Sequence, residues 1–269
     1  MNEKFWNLQA SNIDSVYYET RIFSPERFRI KLALNYLKNK NLHSILDVGC
    51  GTGKFLSRCN NFEKKLGIDS SDQMICVSKK KYPKIPFVRT SISNFQTNDK
   101  FDVVSAFSVI PYIKNEKNAY LKIKNLLKQN GIFIVSYPNI IFNYFTDNEL
   151  TYNFMDKIFY NYITNQQLKN IELSCINKKI KVNFPKNSAR GKIFLREENP
   201  LTIDDKLIKF GFKVVKKYFL NIHPVRPTTM QKFKITKNHP LYVKLQSEFK
   251  EDWRGTFLGS TFMVICTKQ

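Results

Sequence analysis

The most constraining feature of this chain is one decapeptide, Ile45-Leu-Asp-Val-Gly-Cys-Gly-Thr-Gly-Lys54. An apolar run, Ser44–Val48, carries Asp47 into three glycines at alternate positions, Gly49, Gly51 and Gly53. Without Cβ, backbone can turn sharply off a strand end and let a ligand lie directly on N–H groups at a helix start. Two familiar phosphate loops are excluded. The Walker pattern needs a glycine five residues before its Gly-Lys pair and a Ser or Thr after it, and those positions hold Val48 and Phe55. The dinucleotide fingerprint needs its third glycine at Lys54, whereas here the glycine comes one residue early.

Around this turn the first half alternates two signals. Short apolar or β-branched runs at Ser44–Val48, Lys65–Asp69, Pro86–Arg89, Phe101–Phe107 and Ile132–Tyr137 are separated by polar or helix-periodic stretches, a βαβ rhythm. Ser24 before Pro25 predicts a capped helix from Pro25 to Lys38. Ser70 or Ser71 predicts a cap for a second helix, through Lys80. Ala119, Tyr120, Ile123, Leu126 and Leu127 form one stripe of a third, expected to stop at Asn130-Gly131. No repeat of fixed period is present, which argues against solenoids and propellers.

The second half keeps the alternation less well. Thr202–Phe210 reads as a helix ended by Gly211, followed by strands at Lys213–Leu220 and Thr256–Cys266. Two long segments fall outside the pattern. Pro138–Pro200 carries an aromatic-rich part, Phe142–Tyr162, and then a predicted hairpin with strands near Ile180–Phe184 and Lys192–Glu197. Asn221–Gly255 separates the last two strands and predicts a helix after Asn238. Insertions of such length in an α/β domain usually cover or build a binding site, so both are read as lid or substrate-pocket material.

The motif order then resembles a known family. Asp47-x-Gly49-x-Gly51-x-Gly53 is similar to motif I of the class I S-adenosylmethionine-dependent methyltransferases. Leu66-Gly-Ile-Asp69 and the following Ser70-Ser-Asp-Gln-Met74 resemble the segment whose acid binds the ribose hydroxyls, and a carboxylate can accept from both hydroxyls of a cis-diol. Phe101-Asp-Val-Val-Ser105-Ala-Phe107 resembles the fourth-strand motif, and Leu126–Ser136 the helix, turn and fifth strand. Where the family often has an acid after the third strand, this chain has Thr90-Ser91-Ile92. The resemblance covers roughly residues 25–137. It implies a Rossmann-like α/β sheet, mostly parallel with an antiparallel strand at its end, plus α/β lid insertions. It also implies S-adenosyl-L-methionine as cofactor and S-adenosyl-L-homocysteine as product. The cofactor-binding residues it implies are Asp47, Gly49, Cys50, Gly51, Gly53, Asp69, Ser70, Met74, Ser91, Ile92, Ser105 and Phe107. Tyr18 joins them from an N-terminal segment that resembles the part folding over the methionine moiety.

One domain over residues 1–269 follows. It comprises an N-terminal cap and first helix (1–43), a cofactor-binding half (44–137), an insertion (138–200) and a C-terminal half (201–269) containing the 221–255 loop. The acceptor is less legible. With 44 Lys and Arg against 22 Asp and Glu, the net charge of +22 invites a polyanion. The charge is spread, however, without a block of five or six, and the abundance of Lys, Asn, Ile, Phe and Tyr is what an AT-biased genome produces. The position directly after strand four lacks the Asn/Asp-Pro-Pro-aromatic box of nucleic-acid amino-methyltransferases, and none of the five cysteines lies in the Pro-Cys or Thr-Cys setting of the RNA cytosine-C5 enzymes. These absences favour a small-molecule acceptor, possible anionic groups included, over nucleic acid. The preferred reading is O-methylation of a sugar or nucleotide-linked saccharide in bacterial surface-glycan or secondary metabolism. An RNA or tRNA methyltransferase is the alternative, and a non-catalytic cofactor-binding scaffold a further one.

For catalysis, His223 in His223-Pro-Val-Arg226-Pro follows the sixth strand and has an ordinary pKa of about 6.5, suited to take a hydroxyl proton. Tyr112 is a second catalytic candidate. Arg226 is a candidate for holding a phosphate or carboxylate, and Tyr137 for lining the acceptor at the carboxyl edge, where open α/β sheets bind ligands. His239 reads as part of a helix start beside Pro240. The odd cysteine count, with no C-x-x-C pair and three histidines, predicts neither a disulfide framework nor a metal site. The N-terminus lacks a signal-peptide pattern and no window approaches the roughly 18 apolar residues of a membrane span, so a cytoplasmic location is expected.

Overall fold

The computed structural model describes residues 2–14, 24–146, 149–158, 166–167, 170, 194–233 and 239–269. β1 (Ser44–Val48), β2 (Lys64–Asp69), β3 (Phe87–Arg89), β4 (Phe101–Phe107) and β5 (Leu127–Pro138) pair in parallel. β7 (Gly259–Lys268) pairs antiparallel with both β5 and β6 (Phe212–Ile222). The order across the sheet is β3-β2-β1-β4-β5-β7-β6. The antiparallel strand thus lies one place in from the edge, with β6 outside it. Chain order reverses between β1 and β4, which opens a crevice at their carboxyl ends.

Burial explains the composition of the central strands. All five residues of β1 are buried, because a parallel strand in mid-sheet is covered on both faces. Leu46 and Val48 join one core with Tyr120, Phe133 and Phe262, while Ile45 joins the opposite core with Ala33, Phe55 and Ile265. Helix α2 (Pro25–Leu37) starts as expected, its N-cap Ser24 accepting from Arg27 N at 3.1 Å. Helix α3 (Asp72–Lys81) is capped by Ser71, which accepts from Met74 N at 3.2 Å. Ahead of them, α1 (Asn2–Gln9) packs on α3.

Several boundaries move. Helix α4 (Glu116–Leu126) ends before the expected Asn130-Gly131, because Leu127 already pairs with Phe101 and the ladder shifts register there. Asn130 still takes the left-handed conformation, φ 58°, in the bulge that follows. The expected start of the last strand at Thr256 is instead a helical turn. After a 3-10 turn at Ile141–Phe145 come α5 (Glu149–Ile158), α6 (Ile203–Lys209), α7 (Pro227–Lys232), α8 (Pro240–Glu248) and α9 (Gly255–Leu258), and the strand begins only at Gly259. A Cβ on Gly255 would lie 2.6 Å from Phe219, so this turn backs directly onto β6. Of the predicted hairpin, residues 180–193 lie outside the described residues, and residues 194–198 contribute a single bridge, Asn139 with Glu198. His239 is the N-cap of α8, its Nδ1 accepting from Leu241 N at 3.2 Å.

Candidate functional site

The three glycines differ in what their missing side chains meet. A Cβ on Gly49 would clash with Val109 at 2.2 Å, and one on Gly53 with Phe87 at 2.7 Å, so those two are demanded by packing. Gly51 has φ 51°, and its nearest neighbour would be Met74 Sδ at 4.0 Å. It is therefore the glycine over which a ligand could rest on bare backbone.

The acid at the end of β2 faces the same place. Asp69 Oδ2 accepts from Gly51 N at 3.0 Å and Oδ1 from Ser71 N at 2.8 Å. Burial pushes its carboxyl up, opposed by backbone N–H groups of Ser71, Gly51 and Ser70. With about four lone-pair sites, the carboxylate can still accept from a ligand hydroxyl. Ser70 is exposed beside it, while Met74 and Ile92 are buried underneath, and Ser91 caps the turn after β3 by accepting from Asn94 N at 3.3 Å. Cys50 is buried with its thiol pushed well up by burial, consistent with a packing residue at the turn.

Two residues expected to touch the cofactor are buried at the ends of β1 and β4. Asp47 is 3% exposed and Ser105 fully buried, and Ser105 Oγ donates to Asp47 Oδ1 at 2.7 Å. Burial raises the Asp47 carboxyl to about 7, opposed by that hydrogen bond and by the charge of Arg29. The pair fixes the end of β1 rather than facing a ligand. Tyr137 is likewise a core residue, 1% exposed, its hydroxyl 2.8 Å from that of Tyr120, and it cannot line an open acceptor space.

Arg29, which no sequence signal singled out, reaches from α2 to the carboxyl ends of β4 and β5. Its Nη1 donates to Ser108 Oγ at 2.8 Å and to Ser136 Oγ at 3.2 Å, and the guanidinium lies 4.9 Å from the Phe107 ring centre. Its Nε is buried with no hydrogen-bond partner. Ser108 adopts φ 54°, uncommon for a residue with a Cβ, and its N–H is held by Ser136 Oγ at 2.9 Å. A guanidinium with a buried donor left over, at a strand edge, is a ready receptor for a carboxylate or phosphate.

The N-terminal segment roofs the turn, through residues other than Tyr18, which lies outside the described residues. Thr52 Oγ1 donates to Asp14 Oδ1 at 2.7 Å, Ser71 Oγ to Asn7 Oδ1 at 2.5 Å, and Arg89 Nη2 to Glu3 Oε1 at 2.8 Å. Trp6 meets Tyr112 edge-on at 5.6 Å between ring centres. Tyr112 is half-buried directly after β4.

His223 sits at the end of β6, the outermost strand, its ring 4.8 Å from that of Phe142. Four strand spacings separate β6 from β1, roughly 19 Å, so the structure does not bring His223 to the glycine turn. Arg226 is exposed at the start of α7. No group of three His, Cys, Asp or Glu that could hold a metal occurs among the described residues, and no described helix is long and apolar enough to cross a membrane.

Comparison with known proteins converges on one family. The family model described as a methyltransferase domain matches residues 39–198. An uncharacterised protein of Methanocaldococcus jannaschii is 26% identical over 222 residues, 82% of this chain and 79% of that one. The trans-aconitate 2-methyltransferase of Escherichia coli strain 55989 is 26% identical over 121 residues, 44% of this chain, so the match spans 48% of that enzyme's length. A relative in Invertebrate iridescent virus 6 is matched over 46% of its length. Among solved structures, the N-methyltransferase NodS of Bradyrhizobium japonicum WM9, in complex with S-adenosyl-L-homocysteine, superposes with TM-score 0.57 at 11% identity over 99% of this chain and 97% of that one. An S-adenosylmethionine-dependent methyltransferase of Clostridium acetobutylicum gives TM-score 0.56 at 14% identity over 98% of both chains. At these identities the structural likeness establishes the fold.

Proposed function

The chain belongs to the methyltransferase-domain family, and from that premise we propose that it transfers a methyl group from S-adenosylmethionine to a small-molecule acceptor. The acceptor atom in this reading is a hydroxyl oxygen of a sugar or nucleotide-linked saccharide. One observation carries the cofactor assignment: Asp69, at the end of β2, holds its carboxylate against Gly51 N, beside the one loop glycine whose Cβ position is open. That pairing suits a ribose diol lying over the turn. When bound, the cofactor supplies an activated methyl group on a positively charged sulfur, so the chain's task is binding and orientation.

The residues divide that task. Asp69 receives the ribose hydroxyls, Gly51 lets the ligand approach the backbone, and Arg29 receives the carboxylate at the amino-acid end. Asp47 and Ser105 keep the turn in register from behind. Phe107, at the end of β4, and Tyr112, in the turn that follows, wall the side on which an acceptor would enter. The test is incubation of the purified protein with methyl-labelled S-adenosylmethionine and pools of sugars, sugar nucleotides and tRNA. Label in the sugar or sugar-nucleotide pool supports the reading, whereas label in tRNA alone, or none with bound cofactor, replaces it with the nucleic-acid or scaffold alternative.

A further inference from the structure

Helix α2 has a second working face. A groove of about 390 Å3 runs between it and the turn Leu56–Arg58, lined by Arg27, Lys31, Asn35 and Arg58 together with Phe28 and Leu34. Among the described residues, none of the three cationic side chains makes a hydrogen bond or ion pair, and no acid lines the groove. Several acids elsewhere are paired with other cations: Glu116 with Arg196 and Lys206, Glu198 with Lys206, Asp204 with Lys217, Asp252 with Arg254.

The arrangement is unfavourable for the empty protein. Arg27 and Lys31 are four residues apart on one helix and so are like-charged neighbours on its surface. Arg27 also stands in the first turn, where the helix dipole disfavours a cation. Arg58 adds a third positive charge from across the groove. A bound anion would relieve all three at once.

We infer that this groove binds the diphosphate of a small anionic molecule, the nucleotide-diphosphate part of a nucleotide-linked acceptor. The spacing suits it: Arg27 and Lys31 are separated by about 6 Å along the helix axis, the reach of two adjoining phosphates. A single-stranded nucleic acid needs a row of aromatic platforms, and the one ring among the described residues lining the groove, Phe28, already packs against Met230 and Tyr242. The same helix presents Arg29 to Ser108 and Ser136 at the carboxyl edge, so α2 links the groove to the reaction side. Assigning the diphosphate to an acceptor rests on the methyl-transfer reading, whereas the diphosphate site stands without it.

The experiment is calorimetric titration of the full chain with UDP and with inorganic diphosphate at two salt concentrations, in wild type, in Arg27→Gln/Lys31→Gln and in Arg58→Gln. Wild type is expected to bind UDP less tightly at higher salt, and each variant to bind about tenfold more weakly. S-adenosylmethionine affinity should stay unchanged in both variants. Wild type that binds neither probe, or variants that bind both as wild type does, would overturn the inference. So would tRNA binding that the variants abolish in a protein indifferent to UDP. If the double variant does not fold by circular dichroism, Arg58→Gln, which lies outside the helix, carries the comparison. Loss of S-adenosylmethionine binding in wild type with UDP binding intact would strike the methyltransferase reading and leave the groove assigned.

Discussion

Thr52, inside the glycine turn, donates its hydroxyl to Asp14 of the N-terminal segment at 2.7 Å, and both residues are buried. The other Asp14 oxygen accepts from Lys81 Nζ at the end of α3. One carboxylate therefore ties the leading segment, the turn and the following helix together. Asp14→Ala leaves Thr52 with an unpaired buried hydroxyl, and is expected to destabilise the protein by about 1–3 kcal/mol in urea unfolding. An unchanged midpoint would show that the segment does not hold the turn.

Asp47 makes stability depend on pH. Its folded-state pKa is raised from 3.8 to about 7 by burial. The unfolded chain releases this proton near pH 4 and the folded one only near neutrality. The favourable contribution is therefore complete below about pH 4 and lost as pH climbs to 7. Asp47→Asn should remove that decline, so the gap between variant and wild type should move in the variant's favour between pH 4 and 7. Parallel stability curves would show that Asp47 is ionised throughout.

Arg29 is expected to hold a ligand carboxylate. Arg29→Ala should bind S-adenosylmethionine about tenfold more weakly, and Arg29→Lys should recover only part, because a lysine lacks the planar fork that reaches Ser108 and Ser136 together. Equal affinity of Arg29→Ala and wild type would return this arginine to a purely structural role.

His223 separates sequence expectation from geometry. Three strands lie between β1 and β6 along the path through β4, β5 and β7, so His223→Ala should change the methyl-transfer rate by less than about threefold and leave its pH profile in place. A hundredfold loss together with disappearance of the acidic limb would restore it as the general base.

The strands and the glycine turn were legible because their signals are local. Ser44–Val48 and Phe101–Phe107 match the structure residue for residue, since a buried parallel strand shows itself as a short, predominantly apolar run. Asp69 and Gly51 stand at the strand end and in the turn where the resemblance places them. What the sequence hid was set by distant partners. Leu127 left its helical stripe because Phe101 was there to pair with. Tyr137 looked like a wall residue until Tyr120 claimed its hydroxyl. Arg29 has no motif around it, and only the meeting of α2 with Ser108 and Ser136, 79 and 107 residues away, gives it a role.

The central claim is that Asp69 and the Gly51 turn form an S-adenosylmethionine site. Calorimetric titration of S-adenosylmethionine into wild type and Asp69→Ala tests it most directly. The account predicts one bound molecule per wild-type chain and at least about a tenfold loss of affinity in the variant, the consequence of removing the acceptor for two ligand hydroxyls. Absence of binding to the folded wild type, or equal affinity in the two proteins, would contradict it.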